Sequence, residues 1–195
     1  MDRSVNSHTK SAYIQVMREL ERGSCVIFKE TTSTNQKYLT LTVGRDCYDR
    51  YDTGVAGGVT TGAALNQNQT LNLSHKLCSS NSRDNVKYLK VVRHEFLHVF
   101  GLMHTQTRKD RDNYVWVDTS NIKDTKEAQY EICMDCKTFD APYECNSIMH
   151  YEANTFAKNH NKDVMYSKVC KINPGDTLTD WDWKLLNKAA KCPGS

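Results

Sequence analysis

Between residues 9 and 22 the apolar side chains of Tyr13, Ile14, Val16, Met17 and Leu20 recur at helical spacing, and Gly23 stands where such a helix would stop. This predicts a first amphipathic helix. Cys25-Val26-Ile27-Phe28 reads as the start of a buried strand. Lys37 to Val43 alternates through Tyr38, Leu39, Leu41 and Val43, which predicts a second strand. Residues 44–64 are rich in Gly, Asp and Thr, with Gly57-Gly58 as a turn or bulge. Thr70 to Leu77 alternates through Leu71, Leu73 and His75 as a third strand, and Asp84 to Met103 forms a long helix.

The texture then changes. Tyr114-Val115-Trp116-Val117 is a short strand-like run. Residues 118–146 are polar and are expected to be mostly loop, with a short helix at Thr125 to Ile132. Ser147-Ile148-Met149-His150-Tyr151 is a compact apolar island. Thr177 to Cys192 predicts a last helix, with Thr179 or Asp180 as its N-cap. No repeat or linker interrupts the chain. The expectation is one α/β domain over residues 1–195 with two lobes, an upper one over 1–104 and a lower one over 105–195.

The chemistry concentrates at the end of the long helix. His94 and His98 are four residues apart, so on a helix they lie one above the other on one face and can share a cation. Glu95 stands beside them without facing the ion squarely, which suits a base acting on bound water better than a ligand. A helix cannot bring His104 to the same point, but Gly101 tolerates the positive φ that turns the chain back. Three neutral nitrogens leave a coordination position open, the pattern of a catalytic Zn²⁺. Five fixed positions in H-E-x-x-H-x-x-G-x-x-H make this the metzincin zinc-protease signature.

The net charge of +3, without a basic run, argues against a nucleic-acid binder, and no apolar segment approaches membrane-spanning length. The chain opens without a signal-peptide pattern, so its N-terminus reads as processed or incomplete. The eight cysteines fit disulfides in an oxidising compartment. Cys133 and Cys136 form a C-x-x-C without a matching second pair, a weak signal for structural zinc. The sequons at Asn68 and Asn72 agree with a secreted glycoprotein.

Beyond the zinc motif, Arg108 to Val115 resembles the R-x-D-R-D-x-Y-V segment of the astacin family of metallopeptidases. Ser147 to Tyr151 resembles that family's S-x-M-H-Y Met-turn, Cys25 to Phe28 its C-I-x-F strand, and Leu178-Thr179-Asp180 with Cys192 its final helix. The resemblance covers roughly residues 11–192. It implies a twisted mixed sheet with two long helices above the cleft and a largely irregular lower lobe with a C-terminal helix. It implies Met149 as a hydrophobic floor under the histidines. Tyr151 would sit on the metal at rest and swing away to stabilise the oxyanion. It pairs Cys25 with Cys192 and Cys47 with Cys78. Cys133, Cys136, Cys145 and Cys170 are then extra, with three pairings open, and are expected to brace the lower lobe.

Two departures stand out. The residue after the third histidine is Thr105 where the family has Glu, and Ser or Thr there is more typical of matrixins. The family's opening strand is also missing. The reading is a secreted, monomeric zinc endopeptidase that takes an extended peptide or protein by strand addition to the third strand at the cleft edge. Its rivals are a non-catalytic binding protein on the same fold and a matrixin-like enzyme.

Overall fold

The computed structural model describes residues 1–3, 5–33, 35–43, 58–61, 68–73 and 85–195. Two compact units emerge, Met1–Leu102 with Leu186–Ser195, and Met103–Leu185. The last ten residues thus group with the first unit, where the Cys25–Cys192 disulfide ties them.

The first unit begins with helix α1, Ser7–Gly23. Its N-cap is Asn6, whose side chain accepts from the Thr9 amide and satisfies one donor that the helix cannot use. The sheet comprises β1 (Leu39–Val43), β2 (Gly58–Thr61) and β3 (Gln69–Leu73). β3 runs parallel to β1 and antiparallel to β2, in the order β1-β3-β2. Helix α2 covers Asn85–Val99. Tyr13, Val16 and Leu20 of α1, Leu71 and Leu73 of β3, and Val92, Phe96 and Leu97 of α2 are fully buried together as the core. Tyr13 meets the edge of Phe96 at 6.1 Å and donates its hydroxyl to Thr42 O at 2.9 Å, which joins α1 to both α2 and the sheet. Arg93 of α2 grips Glu19 of α1 through Nε and Nη2 at 2.9–3.0 Å.

Three expectations fail here. No strand forms at Cys25 to Phe28, because local side chains take its backbone donors: Val26 N–H goes to Ser24 Oγ and Phe28 N–H to Glu21 Oε1. Of the turn or bulge expected at Gly57-Gly58, Gly58 instead opens β2, a strand that the Gly- and Thr-rich sequence conceals, and Gly57 lies outside the described residues. Third, β3 is the middle strand, paired on both sides over residues 70–73. It therefore has no edge there for strand addition. His75, Cys47 and Cys78 lie outside the described residues.

In the second unit, regular structure is sparse. β4 (Val115–Val117) and β5 (Met165–Ser167) form an antiparallel pair, and short 3₁₀ turns follow one another at Thr105–Thr107, Arg111–Asn113, Thr119–Asn121 and Glu127–Tyr130. The last of these stands where the sequence suggests a helix over Thr125 to Ile132. Side chains do the work that ladders do elsewhere. The Asn121 amide donates to Lys162 O and Asp163 O and accepts from Asn159 N–H, pinning an irregular loop. A small core of Ile122, Tyr130, Ala157, Val164 and Met165 sits beneath. Of the three open pairings the structure selects Cys133–Cys136 and Cys145–Cys170. Helix α3, Asp180–Ala189, closes the chain.

Candidate metal centre

The amphipathic register of α2 buries Val92, Phe96 and Leu97 and leaves His94 and His98 half-buried on another face, with Glu95 between them only 5% exposed. The helix ends in a Schellman motif. Leu102 N–H bonds Leu97 O, Gly101 N–H bonds His98 O, and Gly101 adopts φ +85°, where any Cβ would be strained. That reversal carries the chain back towards its own last turn. His104 follows at φ −59° and ψ 136°, and one ring nitrogen from each of His94, His98 and His104 lies within 4.8 Å of the other two.

The donor set fits a zinc ion. His98 Nδ1 donates to Leu102 O at 2.7 Å, since a carbonyl can only accept. That fixes the tautomer and leaves the lone pair on Nε2, which lies 3.1 Å from His94 Nε2. Two nitrogens on a tetrahedral ion with bonds of about 2.0–2.1 Å stand roughly 3.3 Å apart. Desolvation, followed by the neighbouring His94, lowers the His98 pKa to about 3, so the ring stays neutral as a ligand must. The backbone carbonyl bonded to Nδ1 is the outer partner that holds a ligating imidazole in orientation.

Tyr151 packs its ring 4.5 Å from the His104 ring and donates its hydroxyl to Gln129 Oε1 at 3.1 Å. Met149 is buried, and its carbonyl accepts from Thr105 N–H at 3.0 Å, so the turn after the third histidine is fastened to the Met-turn. The Tyr151 amide donates to Gln106 Oε1, a second fastening.

The arginine-rich segment completes this framework. Arg108 clasps Asp110 through two bonds of 2.9 and 2.8 Å, donates to Pro142 O, and lies 5.6 Å over the Tyr143 ring. The bond to Arg108 holds the Asp110 carboxyl below its ordinary range. Tyr143 stacks on Tyr114 at 4.6 Å and donates its hydroxyl to His150 Nε2 at 2.9 Å. His150 Nδ1 in turn donates to Tyr151 O. Burial lowers the His150 pKa, consistent with a neutral ring that accepts on one side and donates on the other.

Sequence reasoning passed over Asp182 and Gln129. Asp182 is 1% exposed and accepts from Ser147 Oγ at 2.7 Å, Ile148 N–H at 3.2 Å and Thr179 N–H at 3.0 Å. Thr179 Oγ1 accepts from Asp182 N–H, so the two form a reciprocal capping box that also holds the Met-turn. The T-x-x-D spacing was a visible signal for Asp182. Gln129 had none.

The fold is similar to a solved hatching-enzyme zinc protease, high choriolytic enzyme 1 of the medaka Oryzias latipes. The TM-score is 0.74 at 22% identity, over 98% of this chain and 86% of that one. A family model for astacin, peptidase family M12A, matches residues 1–190, and the chain belongs to that family. Among curated relatives, zinc metalloproteinase nas-32 of Caenorhabditis elegans is 28% identical over 187 residues, 91% of this chain. Meprin A subunit beta of Rattus norvegicus is 24% identical over 201 residues, all of this chain. The chain spans about a quarter of the length of these two relatives, 25% and 26% respectively.

Proposed function

We propose that residues 1–195 act as a zinc-dependent endopeptidase domain that hydrolyses peptide bonds in protein substrates. The observation that carries this reading is the convergence of His94, His98 and His104, with the His98 tautomer set for ligation. Zinc bound there supplies Lewis acidity for a carbonyl and a water of lowered pKa. Glu95, next to His94 and sheltered from solvent, takes a proton from the attacking water and delivers it to the leaving amine. Tyr151, beside His104, donates its phenolic proton to the oxygen on which charge develops. Met149, buried in the turn that carries Tyr151, serves as the hydrophobic floor under the three histidines.

Paired cysteines in the described residues support a secreted protein, with Asn68 and Asn72 as acceptors for glycans. No helix among the described residues is long and apolar enough to cross a membrane. An extended peptide remains the expected substrate form, bound somewhere other than along β3.

The test is zinc analysis combined with cleavage of a peptide library. The expected result is close to one zinc per chain and loss of cleavage with o-phenanthroline. Glu95→Ala should keep zinc while losing roughly a hundredfold in rate or more, and His98→Ala should lose the zinc. Cleavage that survives complete removal of zinc sinks the reading. Zinc bound without any cleavage favours the rival binding protein.

A further inference from the structure

Cys133 and Cys136 are joined across a turn whose tip faces solvent, with Asp135 exposed and Met134 at 72% exposure. In thiol–disulfide exchange a thiolate attacks one sulfur and the other leaves as a thiolate. Access to the first and the surroundings of the second therefore decide which bridge opens. The three disulfides among the described residues differ on this count. Cys192 and Cys145 are buried, so attack on Cys25–Cys192 or Cys145–Cys170 from the accessible side expels a thiolate where burial disfavours its charge. Cys133 and Cys136 are both only half-buried, and either can be attacked while the other leaves towards water. We infer that Cys133–Cys136 is a site of exchange with low-molecular-weight thiols, and that its reduction loosens the hold on His104.

The exchange consumes two small thiols. The first, as thiolate, bonds one cysteine sulfur and expels the other, which takes up a proton. The second attacks the mixed disulfide, leaves as the small oxidised disulfide and returns the first cysteine as a thiol. What the bridge holds lies on either side of it. Cys133 N–H bonds Thr107 O at 2.7 Å, and Arg108 and Cys133 form a parallel bridge. Thr107 in turn sends its amide, at 3.0 Å, and its hydroxyl, at 2.8 Å, to His104 O. Two hydrogen-bonded steps thus connect Cys133 to the third histidine. Beyond Cys136, Phe139 and Asp140 stand in succession at φ +50° and +57°, a conformation that is costly for residues with a Cβ. The Ala141 amide, on a buried residue, closes their turn by donating to Thr138 O at 3.0 Å. The strained pair therefore lies between a covalent closure and a buried anchor. Once the closure opens, the chain before Phe139 can shift, the pair relaxes, and the Cys133 amide draws away from Thr107. The consequence for zinc rests on the reading of His104 as a ligand given above; the exchange does not.

The test holds the protein, with any free thiol blocked beforehand, in glutathione buffers of rising reduced fraction, then alkylates it and maps the labelled cysteines by mass. Cys133 and Cys136 should be labelled at a value of [GSH]²/[GSSG] about tenfold or more below that which opens either other pair. In zinc-loaded protein the same reduction should speed release of zinc to a chromophoric chelator about three- to tenfold, less than loss of a direct outer partner of a ligand would. Reoxidation should restore the slow release. Replacing both cysteines, Cys133→Ser with Cys136→Ser, should give the faster release from the outset and no response to glutathione, which separates opening of the bridge from chelation by the thiol. Labelling of Cys25, Cys192, Cys145 or Cys170 ahead of this pair overturns the exchange site. Zinc release that stays the same when the pair opens, or a double variant that still responds, overturns the coupling to His104. Protein that takes up no zinc while oxidised fails the zinc reading instead, and the mapping still decides the exchange.

Discussion

Asp182→Ala should loosen the Met-turn far more than its single-residue change suggests. The carboxylate is 1% exposed and collects three donors, two of which, on Ser147 and Ile148, are themselves buried. Alanine leaves those donors without an acceptor in a site closed to water. A hydrogen bond to a charged group is worth roughly 1.5–3 kcal/mol, and an orphaned buried donor costs about 1–3 kcal/mol. The three bonds share one carboxylate and are not additive, so the expected loss is about 4 kcal/mol rather than their full sum. For a chain of this size that lowers Tm by roughly 10 °C. Asp182→Asn separates shape from charge. Its carbonyl oxygen can still take the two backbone N–H groups, while its NH₂ meets Ser147 Oγ, which can turn to accept. The expected loss is about 1–2 kcal/mol. Urea unfolding of the metal-free protein, followed by near-ultraviolet circular dichroism, gives both numbers. A loss under about 1 kcal/mol for Asp182→Ala, or equal losses for Ala and Asn, would refute the reasoning.

Two further outcomes follow from the second unit. Replacing Cys133 and Cys136 together by Ser should cost about 2 kcal/mol, against about 3.5 kcal/mol for Cys145 and Cys170, because the loops closed span 3 and 25 residues; chemical denaturation of the two double variants ranks them, and the reverse order counts against the loop account. His150 is held neutral in the fold and its pKa is depressed below 6.5, so the stability it contributes is full above pH 6.5 and drains away as pH falls towards the lowered value. His150→Gln should therefore flatten the decline in stability of metal-free protein as pH falls below 6.5, and an unchanged slope would show that His150 takes no part in it.

Much of the fold was legible because burial on one face imposes a period. α1, β1, α2 and α3 all lie where the apolar spacing places them, with ends shifted by a few residues. β2 was hidden because Gly58, Val59, Thr60 and Thr61 show no alternation; its pairing to β3, not its composition, makes it a strand. The failed strand at Cys25 to Phe28 shows the reverse. An apolar run predicts burial of some side chains, and Phe28 does pack on Phe96 at 5.5 Å, yet Ile27 is 71% exposed and the backbone donors are spent locally. In the site, the histidine spacing was readable because a helix and one glycine determine it. The hold of Gln129 on Tyr151 spans 22 residues of irregular chain, where no period links sequence to contact.

The Cys25–Cys192 bond closes a ring of chain with a separation of 167 residues. Tension applied at the two ends runs through the sulfur bridge and bypasses the ring, so pulling loads a covalent bond rather than the sheet or the histidine turn. A single backbone cut inside the ring likewise opens the circle without freeing a fragment. A molecule nicked in any loop between those cysteines keeps its full mass until it is reduced, and its parts stay at the high local concentration that lets them remain docked.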